Sequence, residues 1–463
     1  MRLRAQYGYT WRVPPDSETQ DSIYPIQHEG KITGQDDAQV PGLDSLDRGE
    51  LGDGNPPLSA SQAIFYSSGG MAGGLVFTMM NNALPLFLSS YTMPFSFAPF
   101  FNAGAPVPAT IVALLTNERS FFGGLIQPLV GNLSDKTRSP IGRRSPYVLA
   151  GGALTALAIS LLGLQPPFWL MIAAVTLSGV ALYIALGPYV ALLADVTPAN
   201  QRGRIGGLMA LAGVVGAVLF TVLSMWLWEG ARGWVFLLTA IGVAGSMTVV
   251  ALGVNEPPSI TLRVKSKERS VWREIIRIRP LAVYIAAMTI YWLGAGAAAP
   301  FITRFGVHEL GISESNSFTL LLVIVLSTAV GAVLSGVLAD KLGKREVLQP
   351  ALVLFAVAAL VGSQVPNIAW ALPVMVMVGL GNAAPTALHL PLLADLVPKD
   401  RAGAFMGFAS MIWSVAQPVG SLLAGVLVDL SGSYRGVFLF AGICMVASVL
   451  IMRGMAKGAK RNP

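Results

Sequence analysis

Few side chains in this 463-residue sequence can bind or move anything, and several of them lie inside apolar stretches. Glu118 and Arg119 fall within ATIVALLTNERSFFGGLIQP. An ionisable residue left unpaired in lipid costs several kcal/mol, so its presence in a span points to function. Two readings stand: an embedded carboxylate that exchanges protons beside a guanidinium, or a helix that starts later and leaves TNER as an external loop. His389 is the other proton-handling candidate, because imidazole titrates near neutral pH; the alternative is a hydrogen-bonded packing residue. Asn81 and Asn82 precede Pro85, where a helix can kink and free a carbonyl. Counting about 1.5 Å per residue puts them at the depth of Glu118, which predicts a polar cluster there. Tyr183, Tyr291, Trp292, Asn382, Trp413 and Gln417 stand near the middle of apolar stretches. Amide hydrogen bonds and stacking on aromatic faces suit a neutral polyol, so these six, with Asn81 and Asn82, are the substrate-binding candidates; packing is the alternative for each.

The elements that must position these residues follow from composition. The chain is 54% hydrophobic and 12% charged, against about 25% charged in an average soluble protein. Spans of about 20 apolar residues are predicted near 62–88, 107–134, 147–164, 168–194, 204–228 and 233–254, then near 280–303, 316–339, 346–363, 367–394, 402–428 and 435–453. The fold class is therefore an all-α polytopic membrane protein with 12 transmembrane helices in two six-helix bundles, 61–254 and 280–453. Residues 255–279 read as a polar linker with seven bases, and 454–463 as a short tail. Residues 1–60, with ten acids, five bases and no apolar run, read as a disordered tail. Loops after the even-numbered helices, with the C-terminal tail, carry 22 Lys/Arg against three (Arg232, Arg304, Arg435) on the other side. That asymmetry predicts a multi-pass protein of the cell membrane with both termini cytoplasmic.

Several classes are not supported. Cys444 is the single cysteine, and the three histidines are scattered at 28, 308 and 389, so neither a disulfide framework nor a metal site is expected. The net charge of +7 resides in loops between spans and is no nucleic-acid footprint. No GxxxxGK[ST] loop occurs, so an ATP-driven pump is unsupported. Neither an enzyme nor a cofactor is expected; the expected partners are a bilayer, a small solute and a proton, and the expected state is a monomer.

Between the second and third apolar stretches runs GNLSDKTRSPIGRRSP, residues 131–146. Gly131 and Asp135 share one face at a helix end, which suits close approach by another helix and a carboxylate near its N-terminus. Arg143 and Arg144 close the motif. GVLADKLGKR repeats the device with Gly336, Asp340 and Arg345. LLADVTP at 192–198 and LLADLVP at 392–398 are each followed by an arginine, giving Asp195 with Arg202 and Asp395 with Arg401. Two like halves joined by a linker form a parallel repeat with a path between them. The repeated charges read as gating elements, since a pair made in only one conformation biases a two-state equilibrium.

The spacing QP-x-x-G-x-x-SD-x-T-R-x-x-x-GRR-x-P, Gln127 to Pro146, resembles the signature of the major facilitator superfamily, and in its longer form that of sucrose–proton and glycoside–cation symporters. The resemblance implies rocking of two halves around a sugar, a disaccharide or glucoside, with proton symport. It also implies that Asp135 meets the N-terminus of helix 11 and, by symmetry, Asp340 that of helix 5. One departure is plain: Gln127 and Gly123 stand where the cation-coupled symporters carry acids. Glu118 is then the embedded carboxylate left for coupling. An exporter or uniporter of another solute, or a sensor that binds without transport, are the alternatives.

Overall fold

The computed structural model describes residues 2–4, 10–12, 58–96, 102–254, 256, 275, 277–397 and 402–459. Residues 1–52 form a unit of their own. In it, β1 (Arg2–Arg4) pairs antiparallel with β2 (Thr10–Arg12), setting Leu3 opposite Trp11. A short apolar cross-strand pair defines the register of these two strands; the remainder of the tail read from composition, up to residue 57, lies outside the described residues.

The larger unit is helical. Its helices are α1 (Ala60–Ser89), α2 (Ala109–Lys136), α3 (Ser145–Gly163), α4 (Phe168–Val196), α5 (199–230) and α6 (232–253). The second set is α7 (Arg279–Leu310), α8 (Glu314–Leu342), α9 (Lys344–Gly362), α10 (Ile368–Leu396), α11 (Ala402–Ser431) and α12 (Arg435–Ala459). Ten helical stretches among the described residues are long and apolar enough to cross a membrane. The tally reaches twelve when 199–253 is divided at Ala231, whose φ of −151° and ψ of 47° break the helix, and when the more polar α2 is added.

The chain reverses at Ala231. Gly70 of α1 lies against the Met209 carbonyl on α5 while its neighbour Gly69 faces Val250 on α6. Residues roughly 20 positions to either side of the break thus stand at one level beside α1. Starts and breaks have local causes. Ser59 and Gln62 form a capping box at the start of α1, and Ser313 and Asn367 cap α8 and α10. Before Pro85, α1 widens into a π-helical turn over Met79–Ala83; proline can neither donate nor tolerate the normal carbonyl approach. At Pro300, α7 passes through a 3₁₀ turn, Ala299–Phe301, and then continues to Leu310.

That continuation corrects the predicted end of helix 7 at 303. It also corrects Arg304, counted above as a loop charge: the side chain is buried, with Cζ 5.5 Å from the Tyr434 ring centroid. A cation held over an aromatic face and sheltered by α12 need not lie in a loop.

The two halves repeat in detail. Tyr66 Oη donates to the Tyr189 carbonyl between α1 and α4 (2.7 Å), and Tyr284 Oη to the His389 carbonyl between α7 and α10 (2.6 Å). Gly142 and Gly343 both turn the chain at positive φ, 108° and 100°, a region that favours glycine. Small residues let backbones meet in both halves. Gly74 touches the Gly213 carbonyl, and Gly420 touches that of Leu293. Such approach is how helices associate where lipid removes the hydrophobic drive between them. Leu, Val and Trp side chains cover the outer surface, Trp226 being 82% exposed.

The halves meet at the end opposite the GNLSDKTRSPIGRRSP loop, hereafter the far end. There Asn117 on α2 donates to Ser421 on α11 (3.0 Å), Thr303 on α7 to the Asn82 carbonyl on α1 (2.7 Å), and Trp228 on α5 packs edge-on against Phe318 on α8. At the motif end the corresponding faces are free. Among the described residues nothing lies within 4 Å of where a Cβ would stand on Gly131, Gly203, Gly206, Gly207, Gly336 or Gly407. The close approach predicted for Gly131 and Gly336 is thus not made in this conformation, which is closed at the far end and parted at the motif end.

Gly74→Ala should lower thermal stability by about 1–3 kcal/mol, because the added methyl meets a backbone carbonyl that cannot rotate away. Gly245→Ala, with open space around it, should be neutral or slightly stabilising. Thermal unfolding of the two variants in detergent checks the contrast.

Candidate functional site

At the motif end an ion cluster ties the first half together. Arg143 Nη2 donates to Asp195 Oδ2 (2.6 Å) and its Nε to Glu256 Oε1 (3.2 Å). Arg144 approaches the same Asp195 oxygen with Nε (2.9 Å) and Asp135 Oδ1 with Nη2 (3.3 Å), while its backbone N–H donates to Glu256 Oε2 (2.9 Å). The turn at Gly142 makes this possible: a Cβ there would strike Glu256. The Glu256 side chain is 2% exposed and that of Arg143 13%. Burial at this level makes each charge depend on its partners. Glu256 was missed by sequence reading, being one acid at the head of a basic segment with no motif around it. Arg202, predicted beside Asp195, donates through Nε to the Thr197 carbonyl (3.1 Å).

The second half carries a lighter version. Lys344, at the repeat position of Arg143, reaches Asp395 at 2.7 Å, with 33% and 54% of the two side chains exposed. Lys344 is thus the partner of Asp395 among the described residues; Arg401, predicted beside Asp395, lies outside them. Asp340 is exposed and Arg345 partly so.

Midway along the second half, six residues line a cavity of about 170 Å³: Trp292 of α7, His389 of α10, and Ser410, Trp413, Ser414 and Gln417 of α11. Four of them belong to the residues singled out from sequence. The serines were missed because single serines in apolar helices are common and carry no spacing signal. Trp292 and Trp413 flank His389 edge-on, both at 5.5 Å between ring centroids. His389 Nδ1 is 2.9 Å from the Thr386 carbonyl. The indole N–H groups of Trp292 and Trp413 are buried without a hydrogen-bond partner among the described residues. A buried donor of this kind costs free energy until an acceptor reaches it. The cavity thus offers aromatic edges, an amide and two hydroxyls, and its wall buries two indole donors without a partner among the described residues.

The other predicted residues stand apart from this cavity. Tyr291 is fully buried and donates to Asn382 Oδ1. Tyr183 lies against Gly123 so closely that a Cβ there would overlap its ring. A side chain at position 123 would require the Tyr183 ring to shift. Asn82 is buried, its amide donating to the Thr78 carbonyl within α1 (3.3 Å). Asn81 is half-buried in the same π-helical turn.

Glu118 is inside a 28-residue helix, so TNER is not a loop. Its Oε2 accepts from Thr176 Oγ1 of α4 at 3.0 Å, and Oε1 is buried without a partner among the described residues. The carboxyl turns to α4, whereas the Asn82 amide is spent within α1; the cluster read from depth alone is not brought together around these two. The side chain of Arg119 lies outside the described residues. Asn117, overlooked in the sequence, is the neighbour that bridges the halves.

Removing one partner of a buried ion pair leaves an uncompensated charge and costs about 3–5 kcal/mol. Glu256→Ala should therefore unfold at markedly lower temperature, whereas Lys344→Ala, at a half-exposed pair, should cost about 0–1 kcal/mol. Comparative thermal unfolding of the two variants in one detergent decides between them.

Comparison with known proteins agrees with this architecture. The sequence profile of the Major Facilitator Superfamily matches residues 66–334 and 284–462. The Agnestins efflux protein AgnL12 of Paecilomyces divaricatus is 23% identical over 312 residues, covering 66% of this chain and 70% of that protein. Monocarboxylate transporter 13 of Rattus norvegicus is 26% identical over 340 residues, covering 70% and 76%. Among solved structures, a bacterial homolog of the human lysosomal transporter Spinster, inward-facing and unoccupied, aligns with a TM-score of 0.60 at 14% identity, over 86% of this chain and 94% of that one. The chain, a multi-pass membrane transporter with two repeated six-helix halves, belongs to the Major Facilitator Superfamily.

Proposed function

We propose that this protein is a secondary active transporter of a small polar organic solute, a sugar of disaccharide or glucoside size, moved by proton symport and alternating access. The observation that carries this reading is the cavity bounded by Trp292, His389, Trp413 and Gln417. Its hydroxyl, amide and indole groups can hydrogen-bond the oxygens of a polyol, and its aromatic rings can cover an apolar sugar face. Glu118 is the coupling group in this reading, since one of its oxygens is buried without a partner among the described residues; His389 is the second. The motif end faces the cytoplasm, with both termini, in a cell membrane, so the conformation described is inward-facing. The charge asymmetry of the loops supports that orientation. The protein acts as a monomer, with the solute and the proton as partners.

A second reading rests on the donors. Two unused indole N–H groups beside a histidine fit a carboxylate as well as a hydroxyl, and the relatives include a monocarboxylate transporter and an efflux protein. In that reading the protein is an exporter or uniporter of another small organic solute.

Counterflow of a labelled panel in proteoliposomes separates the two: sugar exchange upholds the first, monocarboxylate exchange alone the second, and no exchange of any solute overturns both. Trp413→Ala should weaken half-saturation for the accepted solute about fivefold or more, since a buried aromatic contact is worth about 1–3 kcal/mol. Glu118→Gln should abolish accumulation driven by a pH gradient and keep downhill exchange, because a neutral amide stands in for the protonated acid. Accumulation with unaltered pH dependence in that variant would exclude Glu118 from coupling.

A further inference from the structure

Two carboxylates at the far end join the halves by one and the same device. Asp429, in the last turn of α11, accepts from the backbone N–H groups of Ala109 (2.7 Å) and Thr110 (2.9 Å) and from Thr110 Oγ1 (2.6 Å). These are the first residues of α2. Glu229, in the last turn of α5, accepts from the Ser315 N–H (3.0 Å) in the first turn of α8. Glu314 answers in the reverse direction, taking Trp228 Nε1 (2.7 Å) and Arg232 Nη2 (2.8 Å). An acid in the last turn of its own helix is badly placed, because that end is the negative pole. The N-terminus of a helix from the other half supplies what its own helix does not: free N–H groups and a positive pole.

The motif end holds the same parts in sequence, unassembled. Asp135 stands in the last turn of α2 and Asp340 in that of α8. α2 runs antiparallel to α11, and α5 to α8. Each of these two pairs therefore carries one acid at either end, borne by the helix that terminates there. Among the described residues, Asp135 meets Arg144 of its own half and Asp340 is exposed.

We infer that Asp429 and Glu229 are the far-end latches of the transport cycle, the reciprocals of Asp135 and Asp340 on the same two helix pairs. Halves that rock about a central solute open the two ends in turn and never together. The far-end pair holds the state described here, and opening that end must pull each carboxylate off the amides it caps. The inference rests on the alternating-access reading proposed above.

The test is double electron–electron resonance on the full-length protein in nanodiscs with Cys444 replaced by Ala. Spin labels at 103 and 431 report the far end, and labels at 204 and 341 the motif end. Asp429→Asn and Glu229→Gln keep shape and remove charge. Each should raise the ratio of far-end-open to far-end-closed molecules on the order of threefold to tenfold, the effect of losing a charged cap, and shorten the motif-end distance in step. Glu309→Gln is the control. Glu309 binds Ser433, the Tyr434 N–H and Arg435, all within the second half, and its loss should leave the ratio unchanged. Two distance populations in the wild type, with a ratio that Asp429→Asn and Glu229→Gln leave unmoved, would overturn the latches and uphold alternating access. An equal shift from Glu309→Gln would likewise overturn them, reducing them to general stability. One and the same population in the wild type and every variant would overturn both readings.

Discussion

A lipid interior offers no partner to a backbone N–H or carbonyl, and the rest of this structure depends on that constraint. It forces the polypeptide into helices and collects unmet backbone groups at their ends. Those ends are where the charged residues stand. Arg144 brings its own N–H to Glu256, and Asp429 covers the opening amides of α2. Charges and helix termini have solved each other's problem, and the contacts that result are the ones a rocking motion can make or break.

The repeat is faithful in backbone and unequal in chemistry. Tyr189 and His389 occupy equivalent places, each accepting through its carbonyl from a tyrosine three helices earlier in the chain. In the first half Tyr189 stacks on Tyr66, ring centroids 5.0 Å apart, and fills its space. In the second half His389 stands between two tryptophans and borders a cavity. The motif-end ion cluster shows the converse: dense and buried in the first half and, among the described residues, a single half-exposed pair in the second. The first half is packed solid where the second leaves a cavity.

The contacts within a half and those between the halves are made by different kinds of residue. Glycine contacts such as Gly74 with Gly213 hold helices within a half, and helix-end carboxylates join the halves. Within a half, a displacement of a few tenths of an ångström meets backbone atoms. Between halves, a carboxylate can leave its amides for water at modest cost.

Much was legible in the chain itself. Spans of about 20 apolar residues, the low charge, the paired GxxxD segments and the like flanks of Asp195 and Asp395 fix a twelve-helix repeat without any coordinates. Helix 2 was legible despite Glu118, because membrane length survives a few polar residues. Residue type singled out Trp292, His389, Trp413 and Gln417, but only the tertiary structure decided that these four share a cavity while Tyr291 is buried against Asn382. Side-chain direction depends on helix rotation, and rotation is set by packing against neighbours far away in sequence. Glu256 and Asp429 had no signal at all: a lone acid acquires its role from whichever helix end arrives beside it. The same holds for conformation. The chain carries acids for both ends of its helix pairs, and which end is closed is a property of how the halves sit, decided by contacts that no local pattern records.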